Sequence, residues 1–225
     1  MGSNYKLKYN VDIVMCIDVT GSMDGILDIV KQNALNFYGD LVSAMNVKGK
    51  VINELRIKII AFRDYMADGK NAMMGTEFLT MPAAQGEFQR MVNSLVAKGG
   101  GDDPEDGLEA LAYAIKSDWT APTADSKRRH VIVVWTDAST HPLGFGSKSE
   151  YYPPVMAKDF EQLTEWWDQM DKQSKRLLLY APEAPYWTNI SSTWDKTMHF
   201  PSEAGNGLEE FEYKEILAEI VNTIG

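Results

Sequence analysis

One cysteine, Cys16, stands in the 225-residue chain, and a lone thiol excludes both an intramolecular disulfide and a thiolate zinc site. A reducing compartment, the cytoplasm, is the expectation. No apolar run approaches the ~18 residues of a membrane helix, and the opening MGSNYKLKYN lacks a signal-peptide core. No membrane partner is expected. Cations are scarce too: 22 Lys and Arg against 32 Asp and Glu leave a formal charge of -10. That balance excludes a duplex phosphate backbone as partner, because such binding relies on clustered cations that release counterions. The one basic knot, Lys127, Arg128 and Arg129, is too short to reverse it. No GxxxxGK[ST] phosphate loop occurs, and His130, His141 and His199 lack metal-ligand spacing.

With 44% hydrophobic and 24% charged residues, and no repeat or low-complexity linker, the chain reads as one folded domain over residues 11–225. Residues 1–10 read as an N-terminal extension or a cloning scar. Residues 11–19, VDIVMCIDV, are a nearly unbroken run of β-formers, as in a strand buried on both faces. Behind the turn TGSM, apolar residues at 26, 27, 30, 34, 37, 41 and 45 mark one helical face. Strands are expected over 55–62 and 77–81, with a hairpin-like loop between them. A helix through Phe88 and Val96 is expected to stop at Gly99, Gly100 and Gly101. Next, Asp103 suits the cap of a helix begun by Pro104, with Glu105 and Asp106 as charges complementing its dipole. Residues 131–136, VIVVWT, give the clearest central strand. A helix near 160–170, strands near 177–181 and 198–200, and an amphipathic helix over 209–224 complete the chain. Strands alternating with helices imply a mostly parallel sheet covered on both faces, with ligands at the strands' carboxyl ends.

Two of those strands end in aspartate, Asp18 and Asp137. Thr20 and Ser22 follow the first at alternate positions, and Gly21 lets the turn tighten so that three oxygens converge. Asp102 adds a third acid before the helix expected at Pro104. All five groups offer only oxygen, which suits six-coordinate Mg²⁺ or Mn²⁺. Arg63 and Asp64, at the end of another strand, are candidates to support this site or to form a salt-bridged loop.

These residues resemble the metal-ion-dependent adhesion site (MIDAS) of the von Willebrand factor A (vWA) domain, with its Asp-x-Ser/Thr-x-Ser, a later Thr or Asp, and a final Asp after a central strand. Asp18-Val-Thr20-Gly-Ser22 matches the first part, Asp102 the second and Asp137 the last. AFRDY (residues 61–65) and GGGDDPEDG (residues 99–107) are similar to intracellular branches, including those joined to α-type kinases and those of tellurite-resistance-type operons. The resemblance implies a Rossmann-like fold with one antiparallel edge strand. It also implies a metal held directly by Thr20 and Ser22, and largely through water by Asp18 and Asp137. A protein partner's acidic side chain would take the sixth position, within a multi-protein complex, and no catalysis is implied. An aspartate at 102, where many members have threonine, brings the ion with its three carboxylates to a formal charge of -1. An incoming acid is then attracted less, and the ion itself is held more tightly.

The alternative is a Mg²⁺-dependent phosphohydrolase of the haloacid dehalogenase kind, which also places a nucleophilic aspartate after its first strand. That chemistry needs a carboxylate two residues later, where this chain has Thr20. A response-regulator receiver fits less well, since it requires an acidic pair after the first strand and a phosphorylated aspartate after the third. In the implied lid, residues 138–154, and the last helix, ligand-linked movement is expected.

Overall fold

The computed structural model describes residues 7–101, 103–121 and 126–225. Asp102, the proposed third acidic ligand, lies outside them. Among the described residues the chain is an α/β protein with one seven-stranded sheet. Its strands are β1 (Leu7–Asp18), β2 (Lys50–Phe62), β3 (Met73–Gly75), β4 (Leu79–Met81), β5 (Lys127–Trp135), β6 (Lys175–Pro182) and β7 (Thr197–Ser202). The order is β3-β2-β1-β5-β6-β7, with β4 also on β2. The pairs β1/β2, β1/β5, β5/β6 and β6/β7 are parallel. β3 and β4 run antiparallel to successive stretches of β2. They form the single antiparallel edge, interrupted where the Thr76 hydroxyl accepts from the Ile59 amide.

Alternation along β1 explains the two layers. Val11, Ile13, Met15 and Ile17 face one apolar core, whereas Val14 and Cys16 face the other, because successive side chains of a strand point to opposite faces. The first core is covered by α1 (Asp24–Asn33), α2 (Phe37–Val47), α4 (Gln85–Ser94) and α8 (Tyr213–Ile224); the second by α5 (Gly107–Ile115), α6 (Phe160–Gln169) and α7 (Trp187–Thr193). One short helix, α3 (Tyr65–Asp68), follows β2. No helix among the described residues is long and apolar enough to cross a membrane.

Several local expectations need correction. The apolar face over residues 26–45 is two helices, broken at Ala34–Asn36, with Phe37 and Leu41 still buried beyond the break. β1 starts four residues before the expected strand. α4 ends at Ser94, so Gly99–Gly101 are not its stop. All three have positive φ and carry the chain past Thr20 and Asp68, where any Cβ would collide with a side chain at Gly99 and Gly100. α5 begins at Gly107, not Pro104. Its cap Asp106 makes no side-chain capping bond, and Asp103 instead accepts from the Ser139 amide (2.6 Å) and hydroxyl (2.8 Å).

Candidate metal centre

Asp18 is wholly buried at the carboxyl end of β1. Its Oδ1 accepts from the Thr20 amide (2.9 Å) and hydroxyl (2.6 Å), and its Oδ2 accepts from the Thr136 hydroxyl at 2.7 Å. Gly21–Met23 form a single 3-10 turn behind it. That turn carries Ser22 to Asp137, whose Oδ1 accepts from the Ser22 hydroxyl at 2.9 Å. The far oxygen of Asp137 accepts from the Gly207 amide at 2.8 Å, and its carbonyl from the Gly205 amide at 2.9 Å. Thus Asp18, Thr20, Ser22 and Asp137, expected from sequence, meet at one place. Thr20, Ser22 and Asp137, with Asp103, Glu105 and the glycines 99–101, line a cleft of about 510 Å³.

Both hydroxyl protons are donated to carboxylates. Each serine or threonine oxygen therefore keeps its lone pairs for something else. Such a donor set, with hydroxyl and carboxylate oxygens mixed, fits a hard divalent cation. Among the described residues no three or more His, Cys, Asp and Glu side chains are disposed to hold a metal. The set assembled here has only two acids, Asp18 and Asp137, and depends on the hydroxyls.

Burial pushes the Asp18 carboxyl up to about 6, against the opposing bonds from Thr20 and Thr136, and the neighbouring Asp137 charge adds to the rise. A proton therefore competes with any cation there, so affinity should fall as pH drops through about 6. Thr136 was not singled out from sequence, because its hydroxyl reaches Asp18 across 118 residues. Replacing it with valine should leave a buried carboxylate oxygen unpartnered and cost about 2 kcal/mol in urea unfolding. Unchanged stability, with an unchanged pH midpoint for metal binding, would show that the bond does not support Asp18.

The site rests on a stitched frame. Arg63 makes no ion pair with Asp64; its guanidinium donates to the carbonyls of Val19 (3.1 Å), Asn71 (2.8 Å) and Val96 (2.8 Å), clamping the loop that follows Asp18. Asp64 caps α3 through the Met66 and Ala67 amides and contacts His141 Nε2 at 2.9 Å. His141 in turn stacks on Phe145.

Glu105 and Asp106 are not solvated dipole charges. Both are buried, as is Glu109 one turn later, and each keeps one carboxyl oxygen without a partner. The Tyr65 amide donates to Asp106 at 2.6 Å; Tyr152 (2.8 Å) and the Gly144 amide (3.2 Å) donate to Glu109. These last bonds tie the expected lid to α5. Desolvation, reinforced by Asp18, Asp64, Asp68 and Asp106, pushes Glu105 up to about 10. Desolvation and the Glu109 charge, which outweigh the Tyr65 bond, push Asp106 up to about 7.

No protein-family model matches the chain, and no curated protein matches its sequence. Solved structures do resemble it. The pilus adhesin SpaC of Lactobacillus rhamnosus GG aligns with 96% of this chain at 11% identity, with a TM-score of 0.53 over 31% of its own length. The open conformation of the same adhesin aligns at 14% identity and a TM-score of 0.52, over 30% of its length. Proximal thread matrix protein 1 of the mussel byssus aligns with 97% of the chain at 9% identity and a TM-score of 0.53, over 49% of its length. The chain thus spans about a third to a half of the proteins it resembles, and at such low identity the likeness is one of fold.

Proposed function

We propose that the chain is a non-enzymatic interaction module of the vWA type that binds Mg²⁺ or Mn²⁺ at a MIDAS-like site and engages a protein partner there. The observation that carries this reading is the pair of hydroxyls, Thr20 and Ser22, whose protons go to Asp18 and Asp137 and whose lone pairs are left for an ion. Thr20 and Ser22 would hold the cation directly; Asp18 and Asp137 would orient both hydroxyls and the bound waters. When bound, the ion supplies a Lewis-acidic position for an oxygen of the partner. Asp102 belongs to this proposal as a further acidic ligand. The lone buried Cys16 suits a cytoplasmic setting.

An ion that binds only the folded state adds about 2.7 kcal/mol at roughly 100 times its dissociation constant. Melting temperature should therefore be higher in Mg²⁺ or Mn²⁺ than in chelator, and Asp18→Ala should remove the difference. Equal melting of metal-stripped wild-type protein in both conditions would defeat the proposal. Pull-down with wild type and Asp18→Ala, each with and without Mg²⁺, then asks whether partner capture follows the metal. The competing reading, a phosphohydrolase, requires Mg²⁺-dependent turnover of a generic phosphate ester that Asp18→Ala abolishes. Its absence alongside metal-dependent capture separates the two.

A further inference from the structure

At the opposite pole of the sheet, around the amino end of β5, Ser126, Lys127, Arg128, Arg129, Asp171, Gln173 and Ser174 line a second cleft of about 360 Å³. Among the described residues its three cations outnumber its one acid, for a local formal charge of 3 - 1 = +2 in a chain of -10. The cleft holds the basic knot that the metal reading leaves unused.

Its cations are not equivalent. Arg129 donates from Nε to the Ile224 carbonyl at 2.7 Å and from Nη1 to the Arg128 carbonyl at 2.8 Å, and lies over the Tyr9 ring. Its guanidinium is engaged in holding the end of α8. Arg128 is only 9% exposed, yet its Nε is buried with no acceptor, and among the described residues no side-chain hydrogen bond or ion pair involves its guanidinium. Asp171 does not fill that role: it accepts from the Ser174 amide (3.0 Å) and hydroxyl (2.5 Å), a bond set that holds it below the usual carboxylate range. A buried Nε–H without an acceptor is costly, and the planar fork of a guanidinium is matched by a tetrahedral oxyanion.

We propose that this cleft binds a phosphoryl dianion, anchored by Arg128 and assisted by Lys127 at the rim, remote from the metal centre. Phosphate and phosphate monoesters share the chemistry that the cleft recognises. A local charge of +2 matches a dianion better than a single carboxylate.

The test is a titration followed by backbone amide NMR in chelator, so that no metal can recruit the anion. Inorganic phosphate in one arm and phenyl phosphate in the other are compared with chloride at equal ionic strength. Saturable shifts at residues 126–129 and 171–174 are expected, weakened about tenfold or more in Arg128→Gln and unchanged in Asp18→Ala. Binding in the phosphate arm alone identifies the free ion as the ligand. Tighter binding in the monoester arm identifies an esterified phosphoryl group. Among the described residues Arg128 has no side-chain partner to lose, and amide shifts of Arg128→Gln unchanged away from the cleft would show that its fold is kept; Lys127→Gln, an exposed change, gives a second reading and should weaken binding by a smaller factor. Shifts that do not saturate, shifts equal to those in chloride, or full-strength binding by Arg128→Gln would each overturn the site.

Discussion

Gly207→Ala should destabilise the protein by about 3 kcal/mol and abolish the thermal response to Mg²⁺ that the proposed site requires. Gly207 has φ +61°, and a Cβ there would run into the Ser22 carbonyl, a backbone atom with no flexible end to yield. A left-handed conformation alone costs a non-glycine residue roughly 1–2 kcal/mol, and the collision adds to it. Relief requires the 205–207 loop to draw away from the turn at Ser22. That movement would also withdraw the Gly207 amide from Asp137. Gly205→Ala is the control: its φ is +71° but its Cβ would meet nothing within 4 Å. It should cost only the conformational part and keep the metal response. Denaturation midpoints and melting with and without Mg²⁺ decide the matter, and equal behaviour of the two variants would show that the close approach is not needed.

The second large effect is a loss of metal-free stability toward alkaline pH. An unfolded glutamate loses its proton near pH 4, whereas folded Glu105 keeps it to about 10 and Asp106 keeps its own to about 7. Between those limits the folded state binds more protons than the unfolded state, so stability falls as pH rises. Asp106 contributes up to about 7 and Glu105 up to about 10, and each proton's limiting slope is about 1.4 kcal/mol per pH unit. Water reaching the cleft side of Glu105 should keep the observed slope below that limit. Asp18, raised to about 6, and Glu109, also raised by burial, add to the same fall, so Glu105→Gln removes only one of these titrations and should gain most on wild type at the highest pH. Urea midpoints at pH 5, 7 and 9 measure it. A wild-type profile flat across that range would mean that neither carboxyl retains its proton in the folded state.

The local part of the candidate metal centre was legible because it is local. Asp18, Thr20 and Ser22 lie within five residues, and the apolar runs ending at Asp18 and before Asp137 announce strand ends. Thr136 and Gly207 were not legible as partners, since each meets its aspartate only after the sheet has brought distant segments together. Glu105 and Asp106 misled for a related reason: an acid before a helix normally faces water, and nothing in GGGDDPEDG signals that Ser139–His141 will cover it through the bridge between Glu105 and Thr140. α7 escaped notice because WTNISST is poor in strong helix formers. It is held by burial of Trp187 and Ile190, with the Trp187 indole donating to the Ala138 carbonyl at 3.0 Å. The periodic stripe of α8, by contrast, reads directly from sequence, and Ile216, Ile220, Val221 and Ile224 are all buried, although the helix begins at Tyr213 and not at the expected 209.

The placement of β1 between β2 and β5 has a consequence for biogenesis. β2 follows β1 closely, but the strand that closes its other side begins at Lys127, long after Asp18 has left the ribosome. At ordinary translation speeds that interval is on the order of ten seconds. Throughout it the run from Val11 to Ile17 presents an open, apolar edge to the crowded cell, the kind of surface that invites pairing with another nascent chain. Expression yield should thus depend on how quickly the middle third of the polypeptide is made, or on how well a chaperone shields its beginning, more than on the stability of the finished fold.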